Sequence, residues 1–174
     1  EPATPMSQIT IRYLGDKVGT LADSAGGIVF EYAAPFLASG HELSPFNLPL
    51  RPGVQTRGGQ KLPGLFDDSL PDAWGRRVML EWFRQQGTAE HQVTPLAMLA
   101  FVGAHGMGAL TYEPARDAAE HPWTAVSLDA LQAAAMRAEQ AGEIDLNVLA
   151  GVGSSAGGAR PKALIALSRK GSTR

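Results

Sequence analysis

The chain has 174 residues, enough for one large domain or two small ones with a buried core. Hydrophobic residues make up 44%, and 15 basic residues nearly balance 17 acidic ones for a net charge of −2, the profile of an ordinary soluble protein with no electrostatic reason to bind DNA or anionic membrane directly. Cysteine is absent, which excludes disulfides and thiolate catalysis and fits a reducing cytoplasm; no run approaches the roughly 18 apolar residues that would span a bilayer.

The start, Glu1-Pro2-Ala3-Thr4-Pro5, lacks the basic and apolar regions of a secretion signal, so none is expected there. Ile9 to Leu14 alternates, Gly15-Asp16 predicts a turn into Val18 to Ala22, and Gly26-Gly27 leads into a third strand, Ile28 to Tyr32. Three short strands with tight turns predict an antiparallel meander. Residues 33–65 are rich in proline and glycine and read as irregular, with Leu48-Pro49-Leu50 a short extended piece.

A helix is predicted next, with Ser69 as its cap, Pro71 in its first turn and Asp72 three residues after the cap. Leu70, Trp74, Val78 and Trp82 recur at fours, with Met79 and Phe83 widening the stripe and Gly87 ending it, so both tryptophans read as core residues. Thr94-Pro95 starts a second helix that stops at Gly103, and Gly106-Met107-Gly108 turns into the strand Ala109 to Glu113. Residues 114–126 read as a loop. Ser127 caps a third helix, with Val126 and Leu131 placed as a hydrophobic staple and Gly142 closing it. Ile144 to Leu149 then bridges to a glycine-rich stretch.

That stretch, Gly151 to Leu167, holds Gly151, Gly153, Gly157 and Gly158 within eight residues, followed by Arg160-Pro161-Lys162 and the apolar run Ala163 to Leu167. Glycines so spaced let several backbone N–H groups face one concave side, a phosphate-binding shape to which Arg160 and Lys162 add positive charge. Because the run that follows has strand length, the loop enters a strand. That is the order found in kinases, whereas the P-loop of nucleotide triphosphatases ends in Gly-Lys-Ser/Thr and enters a helix. The spacing Gly151-x-Gly153-x-x-x-Gly157 is one residue longer than the usual kinase pattern, and an ordinary flexible turn is the plain alternative.

Other chemistries fare worse. His41, His91, His105 and His121 show no metal-ligand spacing. Asp67-Asp68 reads as a favourable charge at a helix start rather than an acid–base pair, and Arg76-Arg77 as a solvated face rather than a phosphate clamp. A serine-hydrolase elbow is rejected, since Gly153-Ser154-Ser155-Ala156-Gly157 has one residue too many. Ser154 and Ser155 read either as loop serines or as phosphate-loop residues open to phosphorylation.

Taken in order, several pieces resemble the amino-terminal part of HipA-like serine/threonine kinases, the toxins of bacterial toxin–antitoxin modules. They are Val18-Gly19-Thr20-Leu21 with Phe30-Glu31-Tyr32, Leu48-Pro49-Leu50, Phe66-Asp67-Asp68-Ser69-Leu70-Pro71-Asp72 with Arg76, Leu99 to Leu110, and Ser154-Ser155-Ala156-Gly157-Gly158-Ala159-Arg160-Pro161-Lys162. The last is the most specific.

The resemblance implies an α+β fold: a small antiparallel sheet with packed helices over residues 1–142, then the first strands and glycine-rich loop of a kinase small lobe over 143–174. It implies protein phosphorylation with ATP and Mg²⁺, substrates such as an aminoacyl-tRNA synthetase, a helix-turn-helix antitoxin as partner, contact with DNA only through that antitoxin, no membrane, and a cytoplasmic setting. Carried over by motif, Gly157, Gly158, Ala159, Arg160, Pro161 and Lys162 would bind the ATP phosphates. Ser155, with Ser154 as the alternative, would be the autophosphorylated position. The strand lysine, catalytic aspartate and metal-binding residues of a kinase follow the glycine loop, and this chain holds none of them. On its own it is therefore expected to be inactive, with no catalytic or metal-binding residues. The alternative class is a non-catalytic split-toxin subunit that binds a separate kinase chain or an antitoxin.

Overall fold

The computed structural model describes residues 7–59, 61–115 and 127–146. Its frame is a five-stranded, wholly antiparallel sheet in the order β4-β3-β2-β1-β5. The strands are β1 (Gln8–Tyr13), β2 (Asp16–Ser24), β3 (Gly27–Tyr32), β4 (Gln55–Thr56) and β5 (Leu110–Glu113). The three-strand meander is as the alternation predicts. Ile9 and Ile11, Leu21, then Ile28, Phe30 and Tyr32 fall on one buried face, while Thr10, Thr20 and Glu31 between them do not.

The β1–β2 turn differs in detail. Leu14 (φ 51°) and Gly15 (φ 95°) are its two corner residues, not Gly15 and Asp16, because a two-residue hairpin whose twist matches its strands needs positive φ at both corners. Further along, the register slips between Ile11 and Arg12, leaving Val18 as an extra residue in β2. That bulge turns the adjacent Val18 and Gly19 both inward, and the Val18 carbonyl accepts a bond from Ala33 N (2.9 Å). Gly19 is required by a close approach: a Cβ there would press on the Glu31 carbonyl and come within 2.7 Å of the Phe30 ring.

Residues 33–65 are more ordered than their composition predicts. They contain α1 (Ala34–Ser39), which has Pro35 in its first turn and ends at Gly40 in the left-handed region, and they contribute β4. Between these two elements the chain is tied down by the Tyr32 hydroxyl donating to Leu48 O (2.8 Å) and the buried Gln55 amide donating to Pro49 O (3.1 Å). A single turn, α2 (Gly64–Asp67), puts Phe66 into the core against Phe30.

The longer helices are α3 (Ala73–Gln85), α4 (Pro95–Val102) and α5 (Leu128–Gln140). Thr94 and Ser127 cap α4 and α5 as predicted, each side chain accepting a bond from the backbone N–H three residues on. The α3 prediction is corrected by a shift of three residues: Asp72, not Ser69, caps the helix by accepting from Gly75 N (3.4 Å). Pro71 is the reason, since the residue before a proline is driven out of helical conformation and Leu70 cannot begin a helix. The Val126–Leu131 staple and residues 147–167 lie outside the described residues.

Three apolar clusters hold the layers together. In the largest, α4 contributes Leu96, Leu99, Ala100 and Val102 to the buried sheet face. The other side of α4 gives Ala97 and Met98 to a second cluster, with Met79 and Phe83 of α3. The remaining stripe of α3, Trp74 and Val78, meets Ala134 and Ala138 of α5. Helices therefore cover one sheet face, in layers that step outward from α4 to α3 to α5. Among the described residues no helix is long and apolar enough to cross a membrane.

Candidate functional site

The glycine-rich positions singled out in the sequence, Gly157 to Lys162 with Ser155 and Ser154, lie outside the described residues, as does His121. What the structure does place is the segment from Phe66 to Arg76, and most of it is architectural. Phe66 is fully buried, and the Ser69 hydroxyl accepts a short bond (2.6 Å) from the hydroxyl of Tyr112 on β5. Burial pushes the Tyr112 hydroxyl up to about 12, an effect its bond to Ser69 partly offsets. Asp67 and Asp68 close α2 instead of leading α3, which corrects the reading of that pair as charges at the α3 start; Asp72 holds that place.

Trp74 is buried against α5, as expected of a core tryptophan. Trp82 is half-buried, packed edge-on to Phe83 (5.0 Å between centroids) and tilted against Phe101 (5.5 Å). Arg76 and Arg77 are both exposed, but each has a definite neighbour. The Arg77 guanidinium stands over the Trp74 ring at 5.6 Å, and Arg76 Nη1 points at Met98 Sδ (3.8 Å).

Among the concavities of the described surface, two bear on function. One, of about 640 Å³, lies between the β1–β2 turn and α1, lined by Tyr13, Leu14, Lys17, Pro35, Phe36 and His41. Leu14, held in the left-handed region by the hairpin turn, stands 76% exposed there. The other, about 530 Å³, lies where the chain after β4, α2 and the start of α3 converge on α4. Arg57, Lys61 and Arg76 line it with Asp67, above an apolar floor that includes Leu62 and Met98. Local sequence could not assemble this group: Arg57 and Lys61 come from a stretch that reads as irregular, and Arg76 from a helix face that reads as solvated. Among the described residues no three His, Asp or Glu side chains are grouped to hold a metal ion.

A five-stranded antiparallel sheet with helices packed on one face makes the described residues a small α+β domain. The profile of the HipA N-terminal domain matches residues 9–113, which run from β1 to the end of β5, and the chain belongs to that family. No curated protein sequence matches the chain.

Proposed function

We propose that this chain is the amino-terminal part of a HipA-like toxin kinase, which transfers phosphate from ATP, with Mg²⁺, to serine or threonine of a protein substrate. One observation carries the reading. The HipA N-terminal match over residues 9–113 is followed, in the same chain, by Ser154-Ser155-Ala156-Gly157-Gly158-Ala159-Arg160-Pro161-Lys162 and a strand-length apolar run. In this reading the backbone of Gly157 to Lys162 cradles the nucleotide phosphates, with Arg160 and Lys162 supplying charge. Residues 9–113 form the accessory domain beside the small lobe. By family analogy the substrate is a protein such as an aminoacyl-tRNA synthetase, and a helix-turn-helix antitoxin, which would supply the link to DNA, holds the toxin in check.

Ser155 is the proposed regulatory site. Phosphate there adds about −1.5 to −2 charges where the nucleotide phosphates would sit, and its oxygens compete for the same N–H groups and cations, so the kinase shuts off. The test is mass spectrometry of the complete gene product after incubation with ATP and Mg²⁺. Phosphate is expected on Ser155 and absent from Ser155→Ala. Phosphate on Ser154 alone moves the assignment by one residue, and phosphate on neither removes the regulatory role. A complete product that neither consumes ATP nor labels any protein overturns the kinase reading in favour of a binding subunit. The 174-residue chain alone is expected to transfer no phosphate, because it lacks the groups that orient nucleophile and metal.

A further inference from the structure

Among the described residues, the groove bounded by Arg57, Lys61 and Arg76 carries an excess of positive charge. Three cations face one carboxylate, Asp67, on a chain whose net charge is −2. Among the described residues no ion pair joins Asp67 to any of the three. The hydrogen-bond partners of the two arginines there are neutral: Asn47 Oδ1 for Arg57 (3.2 Å) and Met98 Sδ for Arg76 (3.8 Å). Such partners orient the guanidinium groups without cancelling their charge, so both forks stay available to an outside anion.

The floor narrows the choice of anion. Leu70 and Pro95 offer half-buried aliphatic surface beside the buried Leu62 and Met98, and among the described residues no aromatic ring lines the groove on which a nucleobase could stack. A bare phosphate would use the cations and leave the floor unused. A peptide carrying carboxylates beside aliphatic side chains would use both. We propose that this groove binds an acidic–aliphatic segment of a partner protein, its carboxylates on Arg57, Lys61 and Arg76 and its aliphatic side chains on Leu70 and Pro95. The role is independent of the glycine-rich loop and stands whether or not the complete protein is a kinase.

The test is a titration of the isotopically labelled 174-residue chain with a blocked peptide alternating glutamate and leucine, followed by amide NMR at low salt. The resonances of Arg57, Lys61, Gly64, Asp67, Arg76 and Met98 are expected to shift saturably. The glutamine counterpart of the peptide should bind at least about tenfold more weakly, the scale set by losing charge-assisted hydrogen bonds. The triple change Arg57→Gln, Lys61→Gln, Arg76→Gln should abolish the response while β1–β3 resonances stay in place. Should that variant unfold, Lys61→Gln alone, at an exposed position, should weaken binding by about threefold, and Asp67→Asn should tighten it. Equal binding of the glutamine peptide, inorganic phosphate as strong a ligand as the acidic peptide, or no saturable shift each overturns the proposal.

Discussion

Two helices of this chain, α4 and α5, are capped by the same device and yet held in opposite ways. α4 has only eight residues, but Leu96, Ala97, Met98, Leu99, Ala100 and Val102 are all buried, between the sheet on one side and α3 on the other. α5 has thirteen residues and, among the described residues, buries only Ala134 and Ala138, while Leu128 and Met136 stand 68% and 49% exposed. A helix apolar on all sides is fixed by tertiary burial; one that offers two methyl groups leans on local propensity and its cap. The family match ends at residue 113, so α4 lies inside it and α5 beyond it.

The contrast is sharpest for a deletion in the core. Leu99 is fully buried in the largest cluster, so Leu99→Ala is expected to cost about 2–5 kcal/mol of global stability, read from denaturant unfolding. A loss confined to α4, with the sheet unaffected, would show that the two layers do not unfold together.

A smaller effect should come from pH. Tyr112 ties β5 to the turn after α2, and its hydroxyl titrates near 12 when folded against 10.0 for the exposed group. The folded value is raised, so the unfolded chain loses its proton first as pH climbs. Stability is therefore fully present below about pH 10 and falls between about pH 10 and 12, by roughly 2–3 kcal/mol over the whole window. Burial raises the Tyr32 hydroxyl too, with the Glu42 charge adding to it, and acts in the same direction. Unfolding midpoints measured at pH 9 and 11.5 should separate, and Tyr112→Phe should remove most of the separation; a flat profile in the parent chain would contradict the burial argument.

The α3–α5 seam can be opened alone. Ala134 is 0% exposed against Trp74 and Val78, and Ala134→Glu buries a charge without a partner in this cluster. Hydrogen exchange over residues 128–140 should speed up by at least about tenfold, an opening cost near 1.4 kcal/mol, while β1 to β3 keep their protection. Faster exchange throughout the sheet would mean that α5 is as integral as α4.

The finest comparison removes the capping hydroxyl at two equivalent sites. Thr94→Ala and Ser127→Ala each remove a side-chain cap, worth about 1 kcal/mol to its helix. In the cooperative core the loss at Thr94 should appear in global unfolding; at Ser127 it should appear only as fraying of α5. Identical global losses from both would erase the distinction.

Much of the architecture was legible in the residues themselves, because it depends on near neighbours. Period-two alternation marked β1 to β3, Thr94-Pro95 and Ser127 marked two helix starts, and the spacing of Trp74, Val78, Met79 and Phe83 marked the buried stripe of α3. Family membership too was visible as an order of short motifs along the chain. The start of α3 was misplaced because two side chains compete for one role. Ser69 is a sound cap in isolation, but Pro71 bars the backbone it would need, and Tyr112, 43 residues away, takes its hydroxyl.

Only the tertiary structure decided that β5 lies beside β1, that a six-residue helix survives in a proline-rich stretch, and that Arg57, Lys61, Asp67 and Arg76 share one groove. The first joins segments 101 residues apart at Arg12 and Glu113, and the groove gathers side chains from a loop and two helices that must first be packed in place. No local propensity encodes such a pairing, and it exists because burying the sheet face under α4 fixes where every connecting segment must pass.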